Sequence, residues 1–292
     1  MKSIPILNIE QFEQEESLAD FYSNNLAPHL AKNKEIVHKP HRHNFFLCVL
    51  FTKGSGLHEI DFSAYPVTPG SVFFLKPGQT HSWNFNSTPE GYIFFHTQNF
   101  YELYFSNKKL VQFPFFYSYK NPPNLLLGPD NLRAVASRFK EINTEYNESL
   151  VYKKQKLASL VNLAYIELTR FYAGFEPQKK MLSSTYLNTL DALENKIERY
   201  YKTEKSAKFY AESLNVTSKH LNRIVRTTLN KTTTELINER ILLEAKRLIV
   251  HSENSLASIS EILGYEDYAY FSRVFKLKTN STPLEFKKSY HS

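Results

Sequence analysis

At 292 residues the chain is too long for one ordinary helical domain, and with 42% hydrophobic and 22% charged residues it has the composition of a protein with packed cores. Only 8 glycines accompany 19 tyrosines and 23 phenylalanines, which argues against folds that spend glycines on phosphate-cradling loops. The formal charge of +7 divides into +3 up to residue 184 and +4 over the shorter remainder, so the excess is denser towards the C-terminal end without forming a basic tail.

The N-terminal stretch Met1 to Glu16 mixes Lys2, Pro5 and Asn8 with several acids and lacks the apolar core of a secretion leader. No window of about 18 apolar residues is present to span a bilayer. Cys48, the lone cysteine, lies in an apolar stretch and reads as a buried structural thiol. Together these features point to the cytoplasm and away from membranes and disulfide frameworks.

Residues 36–97 read as short strands separated by turn signals. Phe45 to Thr52 is an apolar run, Lys53-Gly54-Ser55-Gly56 a turn, and Leu57 to Phe62 an alternating strand. Pro66 and Pro69-Gly70 break the chain before Val72 to Leu75. Pro77-Gly78 follows, and Tyr92 to Phe95 is another aromatic run. Turns every 8–12 residues or so indicate a small antiparallel barrel or sandwich. After Pro122-Pro123 the apolar spacing becomes helical, with Leu132, Val135, Phe139 and Ile142 on one helix. Leu157, Leu160, Val161, Ala164, Ile166 and Leu168 follow on a second, parted from the first near Asn147-Glu148-Ser149. The expected division is an N-terminal domain over 1–176 (barrel about 36–97, helices about 130–171), a linker over 177–184 and an all-helical domain over 185–292. In that last part helices are expected near 185–202, 206–214, 217–228, 232–250, 255–263, 267–278 and 283–289.

The helical part contains an internal repeat. Ala211-Glu212-Ser213-Leu214-Asn215-Val216 returns 49 residues on as Ser260-Glu261-Ile262-Leu263-Gly264-Tyr265. Leu221-Asn222-Arg223-Ile224-Val225-Arg226 returns 50 residues on as Phe271-Ser272-Arg273-Val274-Phe275-Lys276. Each copy has the logic of a helix-turn-helix. A small residue (Ala211, Ser260) permits close helix crossing, and a residue suited to left-handed backbone (Asn215, Gly264) turns the chain. A cap then starts the second helix: Thr217 or Ser218 in one copy, Asp267 in the other. Leu221 and Val225, or Phe271 and Phe275, face inward. Lys219, His220, Asn222, Arg223 and Arg226 face outward in the first copy, as do Ala269, Tyr270, Arg273 and Lys276 in the second. Arginine reads guanine and asparagine reads adenine in the major groove, so Arg223, Arg273 and Asn222 carry suitable chemistry. The helix between the copies is about 28 Å long, of the order of one DNA turn. Its Lys246 and Arg247 are expected to act mainly through the salt dependence of binding.

From about Thr185 to Ser289 the chain resembles the DNA-binding domain of the AraC family of bacterial transcription regulators. The resemblance rests on Ile259-Ser260-Glu261-Ile262-Leu263-Gly264-Tyr265, on Tyr270-Phe271-Ser272-Arg273-Val274-Phe275-Lys276 and on Thr282-Pro283-Leu284-Glu285-Phe286. It is supported by the linker-helix segments Ile237 to Ile241 and Ala245 to Ile249. It implies two helix-turn-helix units on promoter DNA, with RNA polymerase as a further partner. Base contacts carried over by motif position fall on Lys219, Asn222, Arg223, Ala269, Tyr270 and Arg273. The chain departs from the family at Asn215 and Asn280, which stand where glycine is usual, at Lys287-Lys288, which replace an arginine, and at Ala269, whose side chain cannot hydrogen-bond a base.

The N-terminal part resembles the cupin-like barrel that many such regulators use for sensing and dimerisation. The matching segments are Pro40-His41-Arg42-His43, the turn around Gly54-Ser55-Gly56, Pro69 to Phe74 and Lys76 to His81. The fold expected is therefore α+β, a barrel with a helical extension followed by the double helix-turn-helix domain. The barrel is a candidate pocket for a small effector, with His43 and His81 as polar anchors among Phe45, Phe46, Trp83, Phe85, Tyr92 and Phe94. A metal-dependent cupin enzyme is the alternative, because His41 and His43 share one strand face and His81 could complete a set. The glutamate that metal-binding cupins add is missing between Asn44 and Val49. The DNA-binding half makes catalysis unnecessary, so no enzyme activity and no cofactor are expected. Leu157, Leu160, Val161, Ala164 and Leu168 form a seam that fits either a homodimer or an intramolecular contact, and the resemblance favours the homodimer.

Overall fold

The computed structural model describes residues 4–12, 18–105, 110, 113–116, 121–173 and 184–291. The chain divides into two compact units, one from Pro5 to Lys180 and the other from Met181 onward. Residues 177–183 of the expected linker lie outside the described residues, and Ser184 already opens a helix.

The N-terminal unit contains β1 (Ile6–Leu7), β2 (Phe21–Asn25), α1 (Leu26–Lys32), α2 (Lys34–Val37), β3 (Arg42–His43), β4 (Phe46–Ile60), β5 (Ser63–Val67) and β6 (Ser71–Leu75). It continues with β7 (His81–His96), α3 (Gln98–Glu102), β8 (Asn124–Leu126), α4 (Pro129–Asn147) and α5 (Lys153–Ala173). The main sheet is antiparallel in the order β2-β7-β4-β6-β8, with β5 added on β4; β1 pairs in parallel with β3.

Two local expectations need correction. Lys53 to Gly56 is not a turn. β4 runs on through it as a 15-residue strand, and register shifts between Phe51 and Gly56 bend the ladder with β7 without ending it. Gly54 allows this because its backbone is left-handed (φ 102°) and a Cβ there would meet Pro89 Cα at 2.6 Å. The turn falls instead at Asp61-Phe62, both left-handed (φ 47° and 69°), as a two-residue hairpin requires. Pro66 likewise does not break the chain. It sits inside β5 opposite Leu57, and β5 bonds only to β4 among the described strands, so the missing N–H costs no ladder bond.

Strand alternation sends side chains to two separate cores. Phe46, Cys48, Leu50, Val72, Phe74 and Phe94 face the helical layer. Phe45, Leu47, Val49, Phe51, Phe73, Trp83, Ile93 and Phe95 face the other side with Ile60 and Val67. Phe46, Tyr92 and Phe94, expected in the pocket, therefore belong to the wrong face, because residues two apart share a side and neighbours do not. Tyr92 lines a separate cleft with Asn25, Thr52 and Glu90.

The first core is completed by α4 and α5, where Val135, Phe139, Ile142, Leu157, Leu160, Val161, Ala164 and Leu168 are all buried. Each large aliphatic among them contributes roughly 1.5–3 kcal/mol of burial. The Leu157–Leu168 seam is thus consumed within one chain and offers no dimer surface. A polar pin joins the layers: the His96 imidazole donates from Nδ1 to Thr97 O at 2.8 Å, and its Nε2 accepts the Tyr165 hydroxyl at 2.8 Å.

The C-terminal unit is helical throughout: α6 (Ser184–Tyr200), α7 (Ala207–Ser213), α8 (Ser218–Leu229), α9 (Thr233–His251), α10 (Leu256–Ile262), α11 (Tyr268–Thr279) and α12 (Pro283–His291). The starts of α7 to α11 are chemically marked. Ser206, Thr217, Thr232, Ser255 and Asp267 cap α7 to α11 with side-chain oxygens, and Thr232 forms a full capping box with Glu235. The spine is an ion network from α6 to α9. Arg240 holds both oxygens of Glu198 at 2.6 and 2.8 Å and reaches Glu244 at 3.2 Å, while buried Arg247 approaches Glu244 at 3.5 Å.

Candidate functional site

The two helix pairs α7–α8 and α10–α11 repeat one another in geometry as well as in sequence. Ala211 and Ser260 are both buried where the paired helices meet, and their carbonyls accept from Val216 N and Tyr265 N at 3.0 and 2.9 Å. The turn residues are both left-handed, Asn215 at φ 55° and Gly264 at φ 70°. Glycine is required at the second position, since a Cβ there would lie 1.8 Å from Lys202 O. The repeat continues beyond the segments compared above. α8 and α11 both end on left-handed asparagines, Asn230 and Asn280, 50 residues apart. Each is followed two residues later by a Thr–Glu cap, Thr232 with Glu235 and Thr282 with Glu285. Asn280 is therefore the counterpart of Asn230, and left-handed backbone explains asparagine as glycine's substitute.

On α8 and α11 the expected contact residues emerge at one end. Ser218, Lys219, Arg223, Arg226, Ala269, Tyr270, Arg273 and Lys276 are exposed, and His220 is half-buried. Three residues have other employment. Thr217 Oγ1 accepts from His220 N at 3.1 Å, and the Asp267 carboxylate accepts from Ala269 N and Tyr270 N at 2.8 and 3.1 Å, so both serve as helix caps. Asn222, expected to read adenine, turns its Oδ1 to Thr233 N at 3.0 Å and ties α8 to the start of α9. Its counterpart Ser272 faces no such demand, because Pro283 stands where Thr233 does and has no N–H. Asn222 is thus a structural bridge.

The linker-helix basics differ from expectation too. Arg247 is 2% exposed and paired with Glu244, and Lys246 lies over the Phe286 ring at 5.4 Å. Arg247 falls on the packed side of α9 and is unsuited to contacting phosphate, whereas Lys246 is half-buried.

In the N-terminal unit the sheet brings together four histidines and the only tryptophan. Register places His58 opposite Trp83 across β4 and β7, and an isolated bridge joins His41 to His81. His58 Nε2 and His81 Nδ1 share a proton at 3.0 Å. His41 and His43 each donate from Nδ1 to a backbone carbonyl, Lys39 O at 2.8 Å and Phe45 O at 2.7 Å. His58 was not anticipated as part of a site; its place depends on pairing with a strand 23 residues away. Burial pushes all four imidazoles down, His43 to about 3, so they are neutral near pH 7. Four buried nitrogens there have no hydrogen-bond partner: His43 Nε2, His58 Nδ1, His81 Nε2 and Trp83 Nε1.

His41, His43 and His81 do approach one another, but as packed rings. His41 lies against His81 at 4.2 Å between centroids, tilted by 52°. Among the described residues no group of three His, Cys, Asp or Glu side chains is arranged to hold a metal ion. No helix of the described residues is long and apolar enough to cross a membrane.

Comparison with known proteins agrees with both halves of this description. A family described as "AraC-like ligand binding domain" matches residues 24–97, and one described as "Helix-turn-helix domain" matches residues 210–289. The chain is 22% identical over 253 residues to the HTH-type transcriptional activator RhaR of Enterobacter sp. (strain 638), covering 85% of this chain and 86% of that one. It is 23% identical over 280 residues to the activator RhaS of Mannheimia succiniciproducens, covering 92% and 97%. The solved structure of ToxT from Vibrio cholerae is similar over 92% of this chain and 98% of that one, at 12% identity and a TM-score of 0.44. With a ligand-binding domain ahead of a double helix-turn-helix, and aligned with RhaR and RhaS along most of its length, the chain belongs to the AraC family of DNA-binding transcriptional regulators.

Proposed function

We propose that α8 and α11 are the recognition helices, with Lys219 and Arg223 of the first and Tyr270 and Arg273 of the second reading base edges of promoter DNA. Ser218, Arg226 and Lys276 are placed for phosphate, and Ala269 for a thymine methyl. The observation that carries this reading is the equivalence of Arg223 and Arg273, both exposed at matching positions of two helices that each follow a left-handed turn residue and a side-chain cap. Likeness to the activators RhaR and RhaS adds activation at promoters. The family resemblance adds RNA polymerase as protein partner and a homodimer through the N-terminal unit, on a face other than the buried α5 seam. The test is selection from a random duplex library at fixed salt, followed by affinity measurements on the enriched site. Arg223→Ala is expected to lower preference for one base pair roughly 5- to 150-fold. Lys276→Ala should instead weaken all sequences alike and reduce the salt slope by about 1. An Arg223 variant that weakens every sequence equally would remove α8 from base reading.

A second element of the reading concerns the histidine cluster, because its unpaired nitrogens are specific. With Nδ1–H fixed on Phe45 O, His43 Nε2 can only accept; Trp83 Nε1 can only donate. The His58–His81 pair offers one donor and one acceptor, whichever ring holds the shared proton. No side chain in this set is charged, which suits a small uncharged hydrogen-bonding effector seated at His43, Phe45, His81 and Trp83. Screening small neutral compounds by Trp83 emission and thermal shift tests it. At a hundred times its Kd an effector should stabilise the unit by about 2.7 kcal/mol. His43→Phe should abolish that gain. Equal stabilisation of wild type and variant would place the effector elsewhere.

A further inference from the structure

We propose that His220, and Tyr270 at the equivalent place in the second unit in addition to its own base contact, hold Arg223 and Arg273 ready for DNA. The inference rests on the reading of α8 and α11 as recognition helices and goes on to ask what aims their arginines. The repeat offset of 50 residues maps His220 onto Tyr270 and Arg223 onto Arg273, so each arginine has a ring three residues before it on the same helix face.

In the first unit the contact is directional. Arg223 Nη2 donates to His220 Nδ1 at 2.9 Å. A guanidinium has no acceptor, so this Nδ1 carries a lone pair and the neutral ring keeps its proton on Nε2. The pair therefore offers only donors to an incoming ligand: the remaining guanidinium N–H groups and the imidazole Nε2–H. That pattern complements the acceptor-only major-groove edge of guanine, N7 and O6, and mismatches adenine, whose edge includes a donor. His220 is itself fixed. Its backbone N–H is bound by the Thr217 cap at 3.1 Å, and its ring stands edge-on to Tyr186 of α6 at 6.4 Å and 87°. Arg223 by contrast is exposed and, without His220, free to sample its rotamers. Holding it before DNA arrives removes part of the ordering cost of binding.

In the second unit the same position holds its arginine by a ring face. The Arg273 guanidinium lies 6.0 Å from the Tyr270 centroid, at the outer range of cation–π contact, and Tyr270 is backed by Tyr265 at 6.1 Å. A ring face constrains direction less than a lone pair does. Arg223 is thus held more strictly than Arg273, and the base pair it reads is the more stringently specified.

An exposed pair of this kind adds little to fold stability, so melting curves alone cannot test it. The test is selection by the full chain from a random duplex library at fixed salt, with sequencing, for wild type, Arg223→Ala, His220→Ala, His220→Phe, His220→Asn and the double variant His220→Ala/Arg223→Ala. Phenylalanine keeps a ring against Tyr186 without an acceptor. Asparagine places Oδ1 as many bonds from Cβ as Nδ1. His220→Ala and His220→Phe are each expected to lower preference at the base pair read by Arg223 by about 3- to 10-fold, the size of one hydrogen bond. Affinity for unselected duplex should change less than about twofold, and His220→Asn should restore most of the preference. The double variant should lose no more than Arg223→Ala alone. Full preference in His220→Phe, or no rescue by asparagine, overturns the positioning role while leaving Arg223 as the reader. No enriched motif for wild type, or an Arg223→Ala variant unchanged at every position, overturns the recognition-helix reading and this inference with it.

Discussion

Replacing Arg240 with alanine is expected to lower the melting temperature of the C-terminal unit by roughly 10–20 °C, corresponding to about 3 kcal/mol. The guanidinium is nearly buried, with its side chain 11% exposed, and it is shared between Glu198 on α6 and Glu244 on α9. Tyr201 covers its face at 4.1 Å. Burial works to raise the Glu198 carboxyl, yet the hydrogen bonds and charge of Arg240 outweigh it and leave the group below its ordinary value. Truncation strips Glu198, whose side chain is 51% exposed, of its two bonds and takes from Glu244, whose side chain is 8% exposed, its contact with Arg240. An uncompensated buried charge is what makes such losses large, and the surviving Arg247 contact keeps this one at the lower end of the range. Arg240→Lys should cost less, because it keeps the charge but gives up the fork. Circular dichroism of the full chain measures the helical melt, while Trp83, which lies in the N-terminal unit, reports independently that the other unit is intact. A shift below about 2 °C would mean that packing alone joins α6 to α9.

The helical half was legible because its information is local. Caps, left-handed turn residues and inward apolar spacing all lie within a few residues of what they specify, and the observed helices start and end within two residues of expectation. What the sequence did not disclose was how outward-facing polar groups divide their labour. Asn222 occupies an outward position with suitable base-reading chemistry, and only the approach of Thr233 N from the next helix shows that its carboxamide is engaged. Arg247 is similar: a basic residue on a helix reads as solvated until a buried partner, Glu244, is seen beside it. The Asn222/Thr233 and Ser272/Pro283 correspondence was the one available hint, since the copy without an N–H also lacks the asparagine.

The sheet half was legible in class but less so in detail, because its decisive contacts are non-local. Gly54 and Gly56 look like a turn from within a short window. Their role as a bend in one long strand appears only when β7 pairs on both sides of it. Phe62 gives no turn signal, so the actual hairpin at Asp61-Phe62 could not be placed. β2 and β8 are short and lie outside the span read as barrel, yet they supply the two edges of the main sheet. His58 became part of a cluster only through its register opposite Trp83.

That clustering makes the N-terminal unit acid-sensitive. His29, His43 and His96 are pushed down to about 3, 3 and 4, chiefly by burial; nearby His41 adds to the effect at His29 and His43, and hydrogen bonds to backbone carbonyls oppose it at His43 and His96. His41, His58 and His81 are shifted in the same direction by the same cause. In the unfolded chain a histidine takes up its proton near pH 6.5, whereas these buried rings resist until the pH is two or three units lower. Between those limits the unfolded state binds more protons, so stability falls as pH falls, by about 1.4 kcal/mol per pH unit for each histidine. At pH 5 the first three alone withdraw roughly 6 kcal/mol, as much as the whole net stability of many domains. The expectation is a unit of constant stability above pH 7.5 or so that unfolds cooperatively between about pH 6 and pH 4.5. Trp83 is the reporter, since it sits 5.1 Å from both His58 and His81 and its emission should shift to the red as the cluster opens. Among the described residues the C-terminal unit buries no histidine, so its helical signal should persist through the same range. An emission midpoint that stays flat from pH 7.5 to 4.5 would require these imidazoles to be charged or solvated in the folded state. The unpaired nitrogens of His43, His58 and His81 would then no longer be available to an uncharged effector.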